Sequence, residues 1–217
     1  MLVASASLMV YLSWKPGDAV SSDIVERLDR KGQLAARRFV GEPCNRTLQG
    51  DLVTSLMEHA EYGTIVAFSE QTAAKCGSNE ELLGPVFTAQ LRSSDFVAAE
   101  RTADRLVVEY PADPNVFSWR AEAREKRVNF SGAYADMRAA LSLFRDPANV
   151  HLSVYYDLAR LAAKAGHPCE AVVTLRDYIA FDPENRRTQQ LSTLIRGWQS
   201  EGSCAPLSGT GSGPLTL

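Results

Sequence analysis

Apolar residues recur every three to four positions along most of the chain, which is the spacing of one face of an α-helix. The run at 21–43 is predicted as a charged amphipathic helix that leads into the main domain. It follows the N-cap cluster Ser21-Ser22-Asp23, it ends at Gly41-Glu42-Pro43, and its apolar side carries Ile24, Leu28, Ala35 and Phe39. β-Branched runs such as Leu106-Val107-Val108 fall inside helical periods, so the pattern predicts an all-α protein.

From residue 44 to residue 204 the helical pattern repeats in units of two helices. The clearest copy has Tyr155-Tyr156-Asp157-Leu158-Ala159, a turn at Gly166-His167-Pro168, then Ala171 and Leu175, and closes with Phe181-Asp182-Pro183. The two copies before it contain Phe117, Ala121, Phe130, Ala133, Met137 and Ala140, and Leu83, Phe96, Ala99, Ala103 and Tyr110-Pro111. A weaker first copy, from about Leu52 to Lys75, centres on Ala67. The predicted buried anchors Ala67, Ala99, Ala133 and Ala171 are 32, 34 and 38 residues apart.

This order of bulky residue, small residue, turn glycine, alanine and closing proline resembles the tetratricopeptide repeat (TPR), whose period is about 34 residues. The resemblance implies a TPR-like helical solenoid of about four helix-turn-helix repeats. A helix at roughly 184–200, with Leu191, Leu194, Ile195 and Trp198, is predicted to cap the array. Residues 205–217 are rich in Gly, Ser and Pro and are predicted to form a flexible linker or tail.

The amino-terminal residues 2–14 are apolar and uncharged, and Lys15-Pro16-Gly17-Asp18 follows them. A helix that spans a bilayer needs about 20 apolar residues, so this segment is too short for one. Its length suits the core of a secretory signal, although no Lys or Arg precedes it. We therefore expect residues 1–20 to be a signal or membrane-anchor-like segment, with a buried helix as the alternative.

The four cysteines favour an oxidising compartment. Cys44 precedes the first helix of repeat one and Cys76 ends its second helix, while Cys169 opens the second helix of repeat four and Cys204 follows the next helix. Antiparallel neighbouring helices bring a start beside an end, so we predict the disulfides Cys44–Cys76 and Cys169–Cys204. The alternative is four free thiols in a cytosolic protein.

Composition argues against several functions. The net charge is -3 and the pI is about 5.7, so we expect no nucleic-acid partner. The pairs Arg37-Arg38 and Arg186-Arg187 are interpreted as solvated faces. The sequence has no zinc-type ligand spacing and none of the common nucleophile, phosphate-loop or metalloprotease motifs. We therefore predict no cofactor, no metal and no enzyme activity, and interpret His167 and Cys169 as structural.

Binding is a better prospect than catalysis. In TPR arrays the first helices line a concave groove, and the resemblance assigns the following residues to it: Arg92, Trp119, Glu122, Lys126, Tyr156, Asp157, Arg160 and Lys164. Trp119 stands out because tryptophan is enriched at protein-binding hot spots, although it could instead pack against the neighbouring repeat. The Asn and Lys arrangement of chaperone-binding TPRs is not reproduced.

A narrower resemblance covers roughly residues 80–205. The segments that carry it are Gly166-His167-Pro168-Cys169-Glu170-Ala171, Ala180-Phe181-Asp182-Pro183, Arg186-Arg187-Thr188 and Gly202-Ser203-Cys204. They resemble the TPR region that precedes a retropepsin-like aspartic protease domain in bacterial exported proteins. The chain has no Asp-Thr-Gly or Asp-Ser-Gly, so the resemblance implies a downstream protease domain rather than a protease here.

A second similarity, to periplasmic TPR adaptors of envelope assembly, rests on Leu106 to Pro111. Together these observations predict a non-catalytic, extracytoplasmic module, in the bacterial periplasm, that binds a protein or peptide and is soluble or anchored at its amino terminus. It would be the substrate-presenting or regulatory part of a larger aspartic-protease protein. The alternative is an envelope-assembly adaptor or a self-associating scaffold.

Overall fold

The computed structural model describes residues 19–144, 150–181, 184, 187–201 and 204. Within those ranges the chain forms eleven α-helices and no strand, which confirms the predicted all-α class. The helices are α1 (Ser22–Arg27), α2 (Arg30–Gly41), α3 (Arg46–Glu58), α4 (Tyr62–Cys76), α5 (Leu83–Arg92), α6 (Phe96–Glu109), α7 (Pro114–Lys126), α8 (Phe130–Ser142), α9 (Leu152–Lys164), α10 (Pro168–Phe181) and α11 (Thr188–Glu201). Helices that are adjacent in the chain pack in pairs.

The chain divides into two compact units, and the boundary between Thr102 and Ala103 falls inside α6. The first unit has an apolar core to which α1 to α5 contribute, with Phe39 and Phe68 in ring contact at 5.0 Å. The core of the second unit comes from α7 to α11 and includes many alanines. Each unit therefore buries its own set of apolar side chains.

Residues 21–43 form two helices where the sequence predicted one. The chain breaks between α1 and α2 at Asp29, whose carboxylate accepts hydrogen bonds from the backbone N–H groups of Lys31 and Gly32 as an N-cap. Ser55 of α3 also donates to Asp29 Oδ1 at 2.6 Å. A Cβ at Gly32 would lie 2.1 Å from Ser55 Oγ, so only glycine allows this approach. The close contact between Gly32 and Ser55 lets α2 pack against α3, and the break at Asp29 is where α2 begins.

Four helix pairs share one turn geometry. After the first helix comes one residue, then a residue with positive φ, then one more residue before the second helix. In the first turn the N–H of Glu61 bonds the C=O of Leu56 and the N–H of Ala60 bonds that of Met57, which is the Schellman pattern. The same two bonds close all four turns. The residues with positive φ are Ala60, Ser94, Val128 and Gly166. The repetition predicted from the sequence is therefore present as four like-built helical hairpins.

The structure corrects the frame of the first repeat. The predicted anchor Ala67 is exposed, whereas Ala99, Ala133 and Ala171 are completely buried. Each buried alanine is the fourth residue of its helix, and the fourth residue of α4 is Ile65, which is also completely buried. The first copy was thus placed two residues too far along. The equivalent position of the first repeat carries isoleucine instead of alanine, so the small residue that marks this position in the other repeats is missing from the sequence there.

Both predicted disulfides are present. The Cα atoms of Cys44 and Cys76 are 5.3 Å apart, and those of Cys169 and Cys204 are 5.4 Å apart. The first joins the residue before the N-cap of α3 to the last residue of α4. The second joins the start of α10 to a residue beyond the end of α11. The geometric reason is the predicted one, because antiparallel helices place the start of one beside the end of the next.

The last helix packs as predicted. Leu191 and Ile195 are buried, and Leu194 and Trp198 pack partly buried against the core of the second unit. Several predictions lie outside the described residues. They are the signal or anchor-like segment before residue 19, the closing Asp182-Pro183, Arg186, and the tail 205–217. In the described part of the chain, no helix is both long enough and apolar enough to cross a membrane.

Candidate functional site: a cleft in the second unit

A cleft of about 450 Å³ opens in the second unit. Helix α7 and helix α9, the first helices of two successive hairpins, supply its walls, and α8 contributes Met137. This volume lies within the range of about 300–1,000 Å³ found for ligand pockets. The lining residues are Asn115, Ser118, Trp119, Ala121, Glu122, Glu125, Lys126, Met137, Ser153, Val154, Asp157, Arg160 and Leu161.

Five of the eight residues assigned to a groove by sequence lie in this lining, namely Trp119, Glu122, Lys126, Asp157 and Arg160. Lys164 does not line the cleft but is ion-paired with one lining residue. Tyr156, on α9, is outside the lining and is 38% exposed. Arg92 is an exposed residue at the end of α5 in the first unit. The structure therefore brings the α7 residues and two of the α9 residues together.

Trp119 stands on α7 with 36% of its surface exposed. About two thirds of the residue is therefore in contact with protein, and its side chain belongs to the cleft lining. The floor beneath it is apolar, since Ala121, Met137 and Leu161 are almost completely buried. The cleft thus combines an apolar base with an aromatic wall.

An ion-pair cluster joins the two walls. Arg160 of α9 donates to both carboxylate oxygens of Glu125 of α7, with the Nη2–Oε2 distance at 2.8 Å. Lys164 donates to Glu125 Oε1 at 2.7 Å, and Arg160 also donates to Asp157 at 3.0 Å. The hydrogen bond from Arg160 is the largest cause that lowers the pKa of Glu125 to about 2, against the opposing effect of burial. Glu125 is therefore ionised at neutral pH and holds α9 against α7.

A second charged cluster joins α7 to α8. Asp136 of α8 is 3% exposed and accepts hydrogen bonds from Arg120 and Arg124 of α7. Arg120 also donates to Asp104 at 3.1 Å. The hydrogen bond to Asp136 is the main cause that raises the pKa of Arg120. Helix α7, which carries Trp119, is thus bonded to α8 and α9, and also to α6 through Asp104.

Sequence reasoning missed Glu125 and Asp136. Asp136 left a weak signal, because it lies three residues after Ala133 and one before Met137 on an otherwise apolar helix face. Glu125 left none, since its partners Arg160 and Lys164 are 35 and 39 residues away. These charges can be paired only once it is known which helices are neighbours in the fold.

The pair His167 and Cys169 is structural, as predicted. Cys169 is bonded to Cys204 and so offers no thiolate, and the ring of His167 packs at 5.3 Å from that of Tyr134. Across the described residues, no cluster of three or more His, Cys, Asp or Glu side chains could hold a metal ion. The groups that the cleft offers to a ligand are an aromatic side chain, an apolar floor and charged side chains.

Comparison with known proteins gives no further guide. No family model matches the chain, and no curated protein matches it. Functional interpretation therefore starts from the cleft itself.

Proposed function

We propose that the chain is a non-catalytic, TPR-like module that binds a segment of another protein in the cleft between α7 and α9. The observation that carries this proposal is the convergence of Trp119, an apolar floor and several charged side chains on one cleft. Aromatic and charged groups that surround a desolvated pocket are typical of binding hot spots. The proposal requires no chemistry beyond contact and desolvation.

The repeated hairpins support the finer architectural part of the proposal. Four turns with the same bonds, and equivalent buried residues at Ile65, Ala99, Ala133 and Ala171, fit helical hairpins of one repeat type stacked as a solenoid. In such a stack the first helices of neighbouring repeats lie side by side and form a continuous binding surface. The cleft lies between two such first helices.

The ion pairs explain why the cleft is suited to binding. Preorganised walls lower the entropic cost of association, because fewer groups become ordered when the partner binds. Glu125 joins α7 to α9, and Asp136 joins α7 to α8, so the walls are held before any partner arrives. Trp119 then stands on a helix that is bonded on two sides.

The two disulfides favour an extracytoplasmic location, because disulfides persist in oxidising compartments such as the bacterial periplasm. Within this proposal, the module is the substrate-presenting or regulatory part of a larger aspartic-protease protein, as the resemblance of residues 80–205 suggests. An envelope-assembly adaptor or a self-associating scaffold is the alternative, and light scattering of the purified chain distinguishes self-association from binding to a different protein.

The test is binding of peptides selected from a randomised display library on the purified chain, measured by fluorescence anisotropy. Replacement of a hot-spot aromatic costs about 2 kcal/mol or more. Trp119→Ala should therefore weaken the selected peptide about thirtyfold. Because Trp119 is about two thirds buried, a fall of about 1 kcal/mol in the free energy of unfolding is also expected.

Tyr110→Ala is the matched control, since Tyr110 is a similarly exposed aromatic at 40% that lies outside the cleft lining. It should leave the affinity unchanged. Tyr156→Ala tests how far the binding surface extends along α9. Equal losses for Trp119→Ala and Tyr110→Ala, or a library that yields no binder, would contradict the proposed function.

A further inference from the structure

The two disulfides close loops of nearly equal length, but their surroundings differ. Cys44 and Cys76 are 32 residues apart in the sequence, and Cys169 and Cys204 are 35 residues apart. In the chain-entropy model, loops of such similar length constrain the unfolded chain to nearly the same extent. A difference between the effects of the two disulfides must therefore come from the contacts around them.

The Cys44–Cys76 disulfide is accompanied by a buried side chain that joins the same two segments. Gln49 donates through Nε2 to the C=O of Pro43 at 2.9 Å, and its Oε1 accepts from Asn79 Nδ2 at 2.7 Å. Pro43 directly precedes Cys44. Asn79 follows Cys76 by three residues. Gln49 therefore holds the start of α3 beside the end of α4 independently of the covalent bond.

The Cys169–Cys204 disulfide holds the last described helix, α11, which packs against α10. Cys169 is near the start of α10, and Cys204 lies beyond the end of α11. The apolar residues that α11 contributes to the core are Leu191, Leu194, Ile195 and Trp198. A helix of this length is only marginally stable by itself in water. Apolar contact and the covalent bond near its end therefore hold α11 in place.

This disulfide is open to attack by a thiol. Cys169 is an exposed residue and Cys204 is half-buried. A thiolate of a dithiol reductant attacks one sulfur and displaces the other as a thiolate, which takes up a proton, and a mixed disulfide forms. The second thiol of the reductant then breaks the mixed disulfide. The products are two cysteine thiols and the disulfide of the reductant.

We propose that the Cys169–Cys204 disulfide is a redox switch that controls the docking of α11. Reduction by a dithiol, such as that of a protein thiol–disulfide oxidoreductase, frees α11 from α10 and makes Leu191 and Ile195 accessible. The hairpin of α3 and α4 stays closed after reduction of Cys44–Cys76, because Gln49 still joins its ends. Helix α11 contributes no residue to the described cleft lining, so this proposal does not depend on the proposed binding function.

The experiment measures hydrogen exchange of the full chain by mass spectrometry, before and after treatment with dithiothreitol. Alkylation of the freed thiols identifies which disulfide has been reduced. Reduction should accelerate exchange in α11 about a hundredfold, since the bond that opposes its local opening is lost. Exchange in α4 should rise less than about threefold, because its buried contacts remain.

Serine substitutions separate the two bonds without a reductant. Cys169→Ser combined with Cys204→Ser should reproduce the fast exchange of α11. Cys44→Ser combined with Cys76→Ser is the matched control and should leave α11 as in the oxidised wild type. Addition of Gln49→Ala to this control removes the second connection as well, and should accelerate exchange at the end of α4 about tenfold.

Each alternative result overturns the redox switch. If α11 keeps its protection once Cys169 and Cys204 are reduced, apolar contact alone holds the helix. If α7 to α9 lose protection together with α11, the bond supports the whole second unit and does not control one helix. If dithiothreitol leaves the bond intact in the folded chain, the bond is not redox-sensitive. Peptide binding by the cleft, tested with Trp119→Ala, stands or falls separately.

Discussion

The two compact units pack their helix pairs with different kinds of side chain. In the first unit Phe68, Leu52, Leu56 and Ile65 are completely buried, and the buried amides of Gln49 and Asn79 bond to each other at 2.7 Å. In the second unit alanines are prominent among the completely buried residues, and the buried polar side chain among the described residues of this unit is the carboxylate of Asp136. Neutral polar groups thus occupy the interior of one unit, and an ion-paired carboxylate that of the other.

This difference bears on the cleft of the second unit. A buried carboxylate is stable only with well-placed cationic partners, and those partners fix helix α7 in position. The same helix supplies Trp119, Glu122 and Glu125 to the cleft. Charge pairs that stabilise the helix contacts therefore also hold the candidate binding residues.

The largest expected effect tests the buried carboxylate. Asp136→Ala leaves Arg120 and Arg124 without their common partner, and removal of one member of a buried ion pair costs about 4 kcal/mol. Urea unfolding followed by tryptophan fluorescence measures it, because Trp119 and Trp198 both lie in the second unit.

Gln49→Ala is the corresponding change in the first unit. It removes a neutral buried amide that bonds Asn79 and the C=O of Pro43, and should cost about 2 kcal/mol. Equal costs for Gln49→Ala and Asp136→Ala would show that the charge of the second unit makes no special contribution.

The second prediction concerns the equivalent repeat position, which is isoleucine in the first hairpin and alanine in the others. Ile65→Ala should cost about 3 kcal/mol through the cavity it leaves. Ala133→Ile should cost about 2 kcal/mol through overpacking, because Ala133 is completely buried. Hydrogen exchange measured by mass spectrometry reports each unit separately.

Ala67→Ile is the control for this repeat frame. Ala67 is exposed, so the substitution should change the free energy of unfolding by less than about 0.5 kcal/mol. A large loss at Ala67 and none at Ile65 would restore the frame that the sequence alone suggested.

The smallest expected effect concerns the pair that joins the cleft walls. Glu125 has a pKa lowered from 4.5 to about 2, so its ionised form contributes stability above about pH 4.5 that is lost as the pH falls towards 2. Glu125→Gln should therefore cost about 1 kcal/mol at pH 7, as for a partly exposed ion pair, and the difference from the wild type should shrink below pH 4.5.

Glu61→Gln breaks an ion pair of the first unit, with Arg27, whose side chain is 60% exposed. It should cost less than about 0.5 kcal/mol. Thermal unfolding between pH 2 and pH 7 compares the two variants. A Glu125→Gln difference that stays constant down to pH 2 would contradict the ion-pair assignment.

Local patterns in the sequence predicted a large part of this structure. Apolar periodicity located most of the helices, and the Gly166-His167-Pro168 turn and the buried Ala171 lie where the repeat frame placed them. The pairing of Cys169 with Cys204 also followed, because the start and end of antiparallel helices meet whatever the details of packing. Five of the candidate groove residues that the same frame assigned lie in the lining of one cleft.

Other features depended on contacts between residues far apart in the chain. The break at Asp29 needs Ser55, which is 26 residues away, and the pairing of Glu125 needs Arg160 and Lys164 from another hairpin. Periodicity shows which side of a helix is apolar, since neighbours one turn apart share a face. It does not show which charges lie opposite on the next helix, because that depends on helix rotation and spacing, which side-chain packing sets only when the chain is folded.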